Sequence, residues 1–429
     1  MRRAAAKTNG RERKLFYDWN CRRGAPSPDE RKIELDDETL RDGLQSPSVV
    51  TPTIGQKIEL LHRMTALGID SVDIGYPGAG SDVLADVVAL ATEIRDARLT
   101  ISANCAGRTA AADIYPIAGA QERSGLPIEA AVFLGSSPIR QYTEHWDIDF
   151  LLSTTEQAVT LARSLGLEVM YVTEDTTRAH PAHLRRLYQT AIEAGAKRIC
   201  VADTVGHATP WGVERLVRFI KGVVTETGED VKIDWHGHRD RGLDIANSIA
   251  ALAAGADRLH GCALGIGERV GNTPMDLLLV NLKLLGWIDR DLTGLPAYCA
   301  TASRATGIPI PANYPVIGKD AFETSTGVHA AAILKAIDRG DTWLANRVYS
   351  GVPADEFGRS QVISVGPMSG KANVAGWLTA HGLAADTETV DRVFARAKTS
   401  DRVLNDGEIY ELLVEILSAR APANAQATS

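Results

Sequence analysis

Two histidines one residue apart, in Trp235-His236-Gly237-His238-Arg239-Asp240, are the side chains here best suited to gripping a metal ion. The run before them, Val231-Lys232-Ile233-Asp234-Trp235, alternates in a β-prone pattern. His236 and His238 are therefore expected at a strand end, pointing to one face. Two imidazoles on one face can share a divalent cation; the rival is a pair of solvated or hydrogen-bonded histidines. Far earlier, Asp37-Glu38-Thr39-Leu40-Arg41-Asp42-Gly43 also follows an expected strand and offers the carboxylate of Asp42. Asn272 could add an amide oxygen. Such mixed oxygen and nitrogen donors suit Mg²⁺, Mn²⁺ or Zn²⁺ alike. An ion held this way polarises a carbonyl, or binds an α-keto acid through its ketone and carboxylate oxygens. Arg41, beside Asp42, is then placed to stabilise a developing enolate or alkoxide, with a salt bridge as its plain alternative. Thr204 could bond a substrate carboxylate or cap the next helix.

These groups lie far apart in sequence, so the fold must gather them. From about Lys32 short β-prone runs alternate with helical ones. The strands are expected at Lys32–Asp36, Ser71–Gly75, Leu99–Ala103, Ile128–Leu134, Glu168–Val172, Arg198–Ala202, Val231–Trp235 and Arg258–Cys262. Helical stretches fall between them and again at Pro274–Leu285, several ending in glycine, as Leu67-Gly68 and Ala254-Gly255 do. Eight such units predict a (β/α)8 TIM barrel rather than a doubly wound open sheet, because no glycine-rich turn follows the first strand. In a barrel the strand ends converge on one mouth. That mouth would collect Arg41, Asp42 and Gln45, then Asp73, Asn104, Ser136, Glu174, Thr204, His236 and His238, and the loop Gly265–Asn272. The organisation expected is a flexible tail over 1–31, the barrel over 32–293, a linker and mostly helical domain over 294–418, and a flexible end over 419–429.

Composition narrows the function. The 429-residue chain carries a net charge of −8, against a general nucleic-acid or membrane-surface partner. No apolar run approaches the ~18 residues that span a bilayer, and no signal-peptide core is present. The five cysteines are odd in number and scattered without C-x-x-C spacing, as expected of reduced thiols in a cytoplasmic protein.

Several segments together resemble the DRE-TIM metallolyase superfamily, and within it the Claisen-condensing 2-isopropylmalate, homocitrate and citramalate synthases. They are DETLRDGLQ at Asp37–Gln45, VDIGYPGAG at Val72–Gly80, VADTVGHATP at Val201–Pro210, HGHRDRGLDIANS at His236–Ser248 and GIGERVGNTP at Gly265–Pro274. STGVHAAAILK at Ser325–Lys335 and YSGVPADEFGR at Tyr349–Arg359 resemble the accessory domain of those synthases. The resemblance implies transfer of the acetyl group of acetyl-CoA to an α-keto acid, giving a 2-alkylmalate. It implies metal binding by Asp42, His236, His238 and Asn272 and enolate stabilisation by Arg41. Thr204 would hold the keto-acid carboxylate, and Glu174 would belong to the catalytic shell. His329, with Tyr349, would serve acid and base steps. It further implies a homodimer in which each accessory domain reaches over the partner's barrel. Leu44, Asp73 and Arg239 depart from the family pattern, where Glu, Glu and Asn are usual; Gln45, Asp73 and Arg239 would lie near the keto-acid pocket. A distal substrate carboxylate would want an extra cation, for which Arg108, Arg140 and Arg239 are candidates. The length after the barrel leads to an expectation of no leucine-regulatory domain. A lyase resembling hydroxymethylglutaryl-CoA lyase is disfavoured, because Gly265–Asn272 contains no cysteine.

Overall fold

The computed structural model of the protein describes residues 11–21, 28 and 32–420. The tails expected over 1–31 and 419–429 fall largely outside the described residues; within 11–21 lie a helical turn, α1 (Glu12–Leu15), and a 3-10 turn at Trp19–Cys21.

Two compact units divide the chain between Pro309 and Ile310. The first holds eight parallel strands in sequential order: β1 (Glu34–Asp37), β2 (Ser71–Asp73), β3 (Ser102–Arg108), β4 (Ile128–Gly135), β5 (Glu168–Glu174), β6 (Arg198–Asp203), β7 (Lys232–Gly237) and β8 (Arg258–Gly261). The barrel closes where Glu34–Asp37 runs beside Arg258–Gly261. The TIM barrel expected from the alternating pattern is the fold observed. Around it run α2 (Ile54–Ala66), α3 (Ser81–Asp96), α4 (Ala111–Ser124), α5 (Pro138–Glu144), α6 (Ile148–Ser164), α7 (Pro181–Glu193), α8 (Pro210–Thr227), α9 (Asp244–Ala254), α10 (Met275–Leu284) and α11 (Leu295–Thr306). Local chemistry sets their starts. Thr53 and Gln56 form a capping box on α2, and Thr209 caps α8 ahead of Pro210. Helix α11 stays with the barrel, where the Tyr298 hydroxyl bonds the buried Asp37 carboxylate. The stretch 294–309, which its prolines suggest as linker, is thus part of the first unit.

The strands near the closure alternate sharply. Leu35, Ile233, Trp235 and Leu259 are buried, while their neighbours Asp36, Asp234, His236, Arg258 and His260 take the opposite face of the same strands. Their partners show that this opposite face is the barrel interior. Asp234 on β7 meets Arg198 on β6 and Arg258 on β8, and Arg258 reaches Ser71 on β2 and Glu129 on β4. Such an interior usually holds branched aliphatics; here Ala131, Met170, Cys200 and Val172 form an apolar patch within a largely charged face. Strand β3 lies later than the expected Leu99–Ala103. Its middle, Asn104-Cys105-Ala106-Gly107, is poor in β-formers, and pairing of Asn104 with Asp73 and Glu129 sets its place. Asn104 is consequently an interior residue that donates to Asp36, not a group at the mouth.

The second unit is mostly helical: α12 (Gly327–Asp338), α13 (Thr342–Ala345), α14 (Lys371–Ala380), α15 (Thr387–Lys398) and α16 (Asp406–Arg420), with β9 (Glu323–Thr324) parallel to β10 (Val362–Ile363). Val374, Trp377, Leu378, Val393, Ile409 and Ile416 form its core. Among the described residues no helix is long and apolar enough to cross a membrane.

Candidate metal centre

The ends of β1 and β7 bring Asp42, His236 and His238 together. The two Nε2 atoms are 3.0 Å apart, and each is 3.6 Å from Asp42 Oδ2. Ligands about 2.1 Å from one ion sit about 3.0 Å apart at right angles and about 3.4 Å apart in a tetrahedron. The triangle therefore has the size of a coordination face, and two imidazole nitrogens aimed at each other suit a shared cation. His236 is 9% exposed while Asp42 and His238 are buried, so the face is reached from one side. Burial and the neighbouring His236 push the His238 pKa down to about 4, which keeps its ring neutral, the form a metal needs. Asn272 sits alongside, with its amide nitrogen 2.9 Å from Asp42 Oδ2 and its buried Oδ1 without a hydrogen-bond partner. His238 and Asn272 are tied by a backbone bridge. An unspent acceptor beside the triangle fits a fourth donor to a hard or borderline cation.

Arg41 crosses from this centre to β2. Its Nε donates to Asp73 Oδ2 at 2.6 Å, Nη2 to Glu38 Oε1 at 3.0 Å, and Nη1 lies 3.3 Å from Asp42 Oδ1. Burial opposes charge on Arg41, but Asp73, Asp42 and Glu38 hold it firmly protonated. Asp73, expected near the keto acid, is thus the anchor of Arg41. A cleft of about 310 Å³ lies at the ends of β5 and β6, lined by Ile139, Arg140, Glu174, Asp175, Arg178 and Thr204 among others. Burial raises the Glu174 pKa, with Arg140 opposing. The Asp175 backbone N–H donates to Thr204 Oγ1 at 2.8 Å, leaving the hydroxyl proton of Thr204 free to donate in turn. Of the expected cations, Arg108 is locked on Asp113 through two bonds and Arg239 lies against Gly265, while Arg140 lines the cleft. Gln45 is exposed one turn beyond Asp42.

The loop after β8 closes over this rim. Arg269 donates to both oxygens of Asp240 at 2.9 Å and to the Thr204 carbonyl at 2.6 Å. A Cβ at Gly271, where φ is +106°, would stand 1.8 Å from the Gly265 carbonyl oxygen, so only glycine fits. Cys262, at the end of β8, is buried, and burial raises its thiol pKa well above the usual value. In the second unit His329 and Tyr349 stack with ring centroids 4.0 Å apart, both exposed.

Two partners of the centre escaped the sequence reading, Glu38 and His260. Glu38 Oε2 lies 2.7 Å from His236 Nδ1, and its Oε1 lies 3.0 Å from His260 Nδ1. The signal was strand parity: Glu38 continues the inward series Glu34, Asp36, and His260 follows Arg258.

A protein-family model described as HMGL-like matches residues 32–297. A probable 2-isopropylmalate synthase of Methanopyrus kandleri is 30% identical over 86% of this chain and 69% of its own. A homocitrate synthase of Sulfolobus acidocaldarius is 29% identical over 92% of this chain and 82% of its own. Among solved structures, the HMG-CoA lyase of Bacillus subtilis superposes with a TM-score of 0.55 at 21% identity, over 66% of this chain and 97% of that one, a likeness of fold.

Proposed function

The chain belongs to the HMGL-like family, and we propose that within it the protein condenses acetyl-CoA with an α-keto acid to a 2-alkylmalate, in the manner of a 2-isopropylmalate synthase. The observation that carries this is the triangle of Asp42, His236 and His238 beside Arg41. These three residues and Asn272 would hold a divalent ion, Mg²⁺, Mn²⁺ or Zn²⁺, which when bound polarises the keto oxygen. Arg41 faces the same centre and offsets negative charge as it grows on oxygen. The Thr204 hydroxyl donates to the keto-acid carboxylate, and Glu174, its proton held more tightly through burial, takes and returns a proton in the cleft. A base takes a proton from the acetyl methyl, the resulting enolate carbon bonds to the keto carbon as the C=O π pair moves to oxygen and takes up a proton, and water adds to the thioester carbonyl to leave a carboxylate and the free CoA thiol. His329, stacked on Tyr349, serves the acid and base steps from the partner of a homodimer. Buried free thiols at Cys105, Cys200, Cys262 and Cys299 suit a cytoplasmic enzyme.

A second reading, homocitrate synthase, is favoured by Arg140, a cation lining the cleft beside Glu174 and Thr204 that could meet a distal carboxylate; for citramalate synthase nothing comparable speaks. The test is thiol release from acetyl-CoA by the purified protein with Mn²⁺ and, in turn, a branched monocarboxylic keto acid, 2-oxoglutarate and pyruvate. The first reading expects release with the branched acid; release with 2-oxoglutarate alone selects the second. No release with any acid overturns both.

A further inference from the structure

Beneath His236 stands a column of buried charged groups. Glu38 lies 2.7 Å from His236 Nδ1, and His260 bridges from Glu38 Oε1 at 3.0 Å to Asp234 Oδ2 at 2.9 Å. Asp234 in turn accepts from Arg258 Nε at 2.6 Å and Arg198 Nη1 at 2.7 Å. Glu38 is 4% exposed, His260 1% and Asp234 0%. Buried ion pairs contribute little net stability, because desolvation consumes most of the Coulombic gain. A column this deep is better understood through the one atom it leaves facing the rim.

A neutral imidazole has one ring proton. A carboxylate against Nδ1 holds the proton there and leaves the Nε2 lone pair facing Asp42 and His238. His238 has no carboxylate against its buried Nδ1, whereas Glu38 Oε2, which makes no other hydrogen bond, lies 2.7 Å from His236 Nδ1. The ionic column therefore orients only one of the two histidines. Resting on the metal reading above, we propose that Glu38 and His260 are positioning residues for the cation: Glu38 fixes the tautomer and orientation of His236, and His260, held between Glu38 and Asp234, keeps Glu38 aimed. Glu38, His236 and His260 are also close enough together to hold an ion of their own. Both ring nitrogens of His260 already face carboxylates, which makes them donors rather than ligands.

Glu38→Gln tests this in the full chain. An amide has one acceptor where the carboxylate has two, and His260 and Arg41 compete for it, so the NH₂ turns to His236 Nδ1. Calorimetric titration with Mn²⁺ should give one ion per chain in the unaltered protein, bound roughly 10- to 100-fold more weakly in Glu38→Gln and in His260→Gln. In metal-free, ¹⁵N-histidine-labelled protein, NMR should show His236 protonated on Nδ1, moving toward Nε2 in Glu38→Gln. Unchanged affinity and tautomer in folded Glu38→Gln would overturn the proposal and leave the metal reading standing. Two ions per chain would overturn it in favour of a second site. No Mn²⁺ uptake by the unaltered chain, matching His236→Ala, would overturn the metal reading and this proposal with it. Should His260→Gln not fold, Glu38→Gln decides alone.

Discussion

The two ends of the barrel are both recessed and both lined with charge, yet they treat charge differently. At the N-terminal ends of the strands a recess of about 490 Å³ is lined by Glu34, Glu129, Arg198 and Arg258 among others. Its arginines are matched: Arg258 with Asp234 and Glu129 at 2.6 Å, Arg198 with Asp234 at 2.7 Å and Glu34 at 2.8 Å. At the opposite rim the cleft is smaller, but buried atoms beside it, His238 Nδ1 and Asn272 Oδ1, have no partner. Unspent hydrogen-bonding capacity in a dry place costs free energy, so each such atom asks for a reason. Asn104 Oδ1 in the floor's lining and Asp36 Oδ2 also lack a hydrogen-bond partner, so what sets the rim apart is the gathering of Asp42, His236 and His238.

If the rim is where chemistry happens, His236→Ala should have the largest effect. Loss of the cation forfeits several kcal/mol of charge stabilisation, so turnover should fall by roughly 10³-fold. Mn²⁺ uptake should vanish while circular dichroism and the unfolding midpoint stay near those of the parent. Retained turnover in the folded variant would leave the rim with no special standing over the floor.

The floor should answer in stability instead. Arg198→Met leaves Asp234, with 0% side-chain exposure, short of one cation, although Arg258 remains. Removing one member of a buried pair costs about 3 kcal/mol at the lower end of what such breaks show. Urea denaturation should register that loss with Mn²⁺ affinity unchanged. A drop in affinity without a drop in stability would mean that the floor belongs to the site.

Much of the rim, though nothing of the floor, was legible in the sequence. The alternation of strands and helices announced the barrel, and the parity of His236 and His238 placed both on one face. What escaped depended on neighbours across the sheet. Strand β3 lies later than expected because Asn104 to Gly107 carry little β preference of their own. That Asp73 carries Arg41 could be seen only once β1 and β2 lay side by side. Glu38 and His260 come from opposite ends of the barrel sequence, and only closure of β8 on β1 makes them partners.

Within the rim, Thr204 sharpens the comparison by a smaller step. Its oxygen accepts from Asp175 N–H, so the hydroxyl proton points its one donation elsewhere. Thr204→Val should weaken binding of the keto-acid carboxylate by about 1.5–3 kcal/mol, a hydrogen bond to a charged group. Steady-state kinetics should show this as a raised KM for the keto acid with the KM for acetyl-CoA unmoved. Equal rises in both would assign Thr204 to general loop structure.

The last test joins the two ends, because His260 lies between them. Burial opposes charge on this ring, but Glu38 and Asp234 lift its pKa from 6.5 to about 10. The folded chain thus holds a proton that the unfolded chain releases near 6.5. The stabilisation is fully present below that pH and is lost as pH rises toward 10, at about 1.4 kcal/mol per pH unit. Urea midpoints of the parent should therefore fall between pH 7 and 9, and His260→Gln, with no proton to lose, should show a flatter profile. A parent profile as flat as the variant's would mean that His260 is neutral, and the charge at the floor would then stop short of the metal centre.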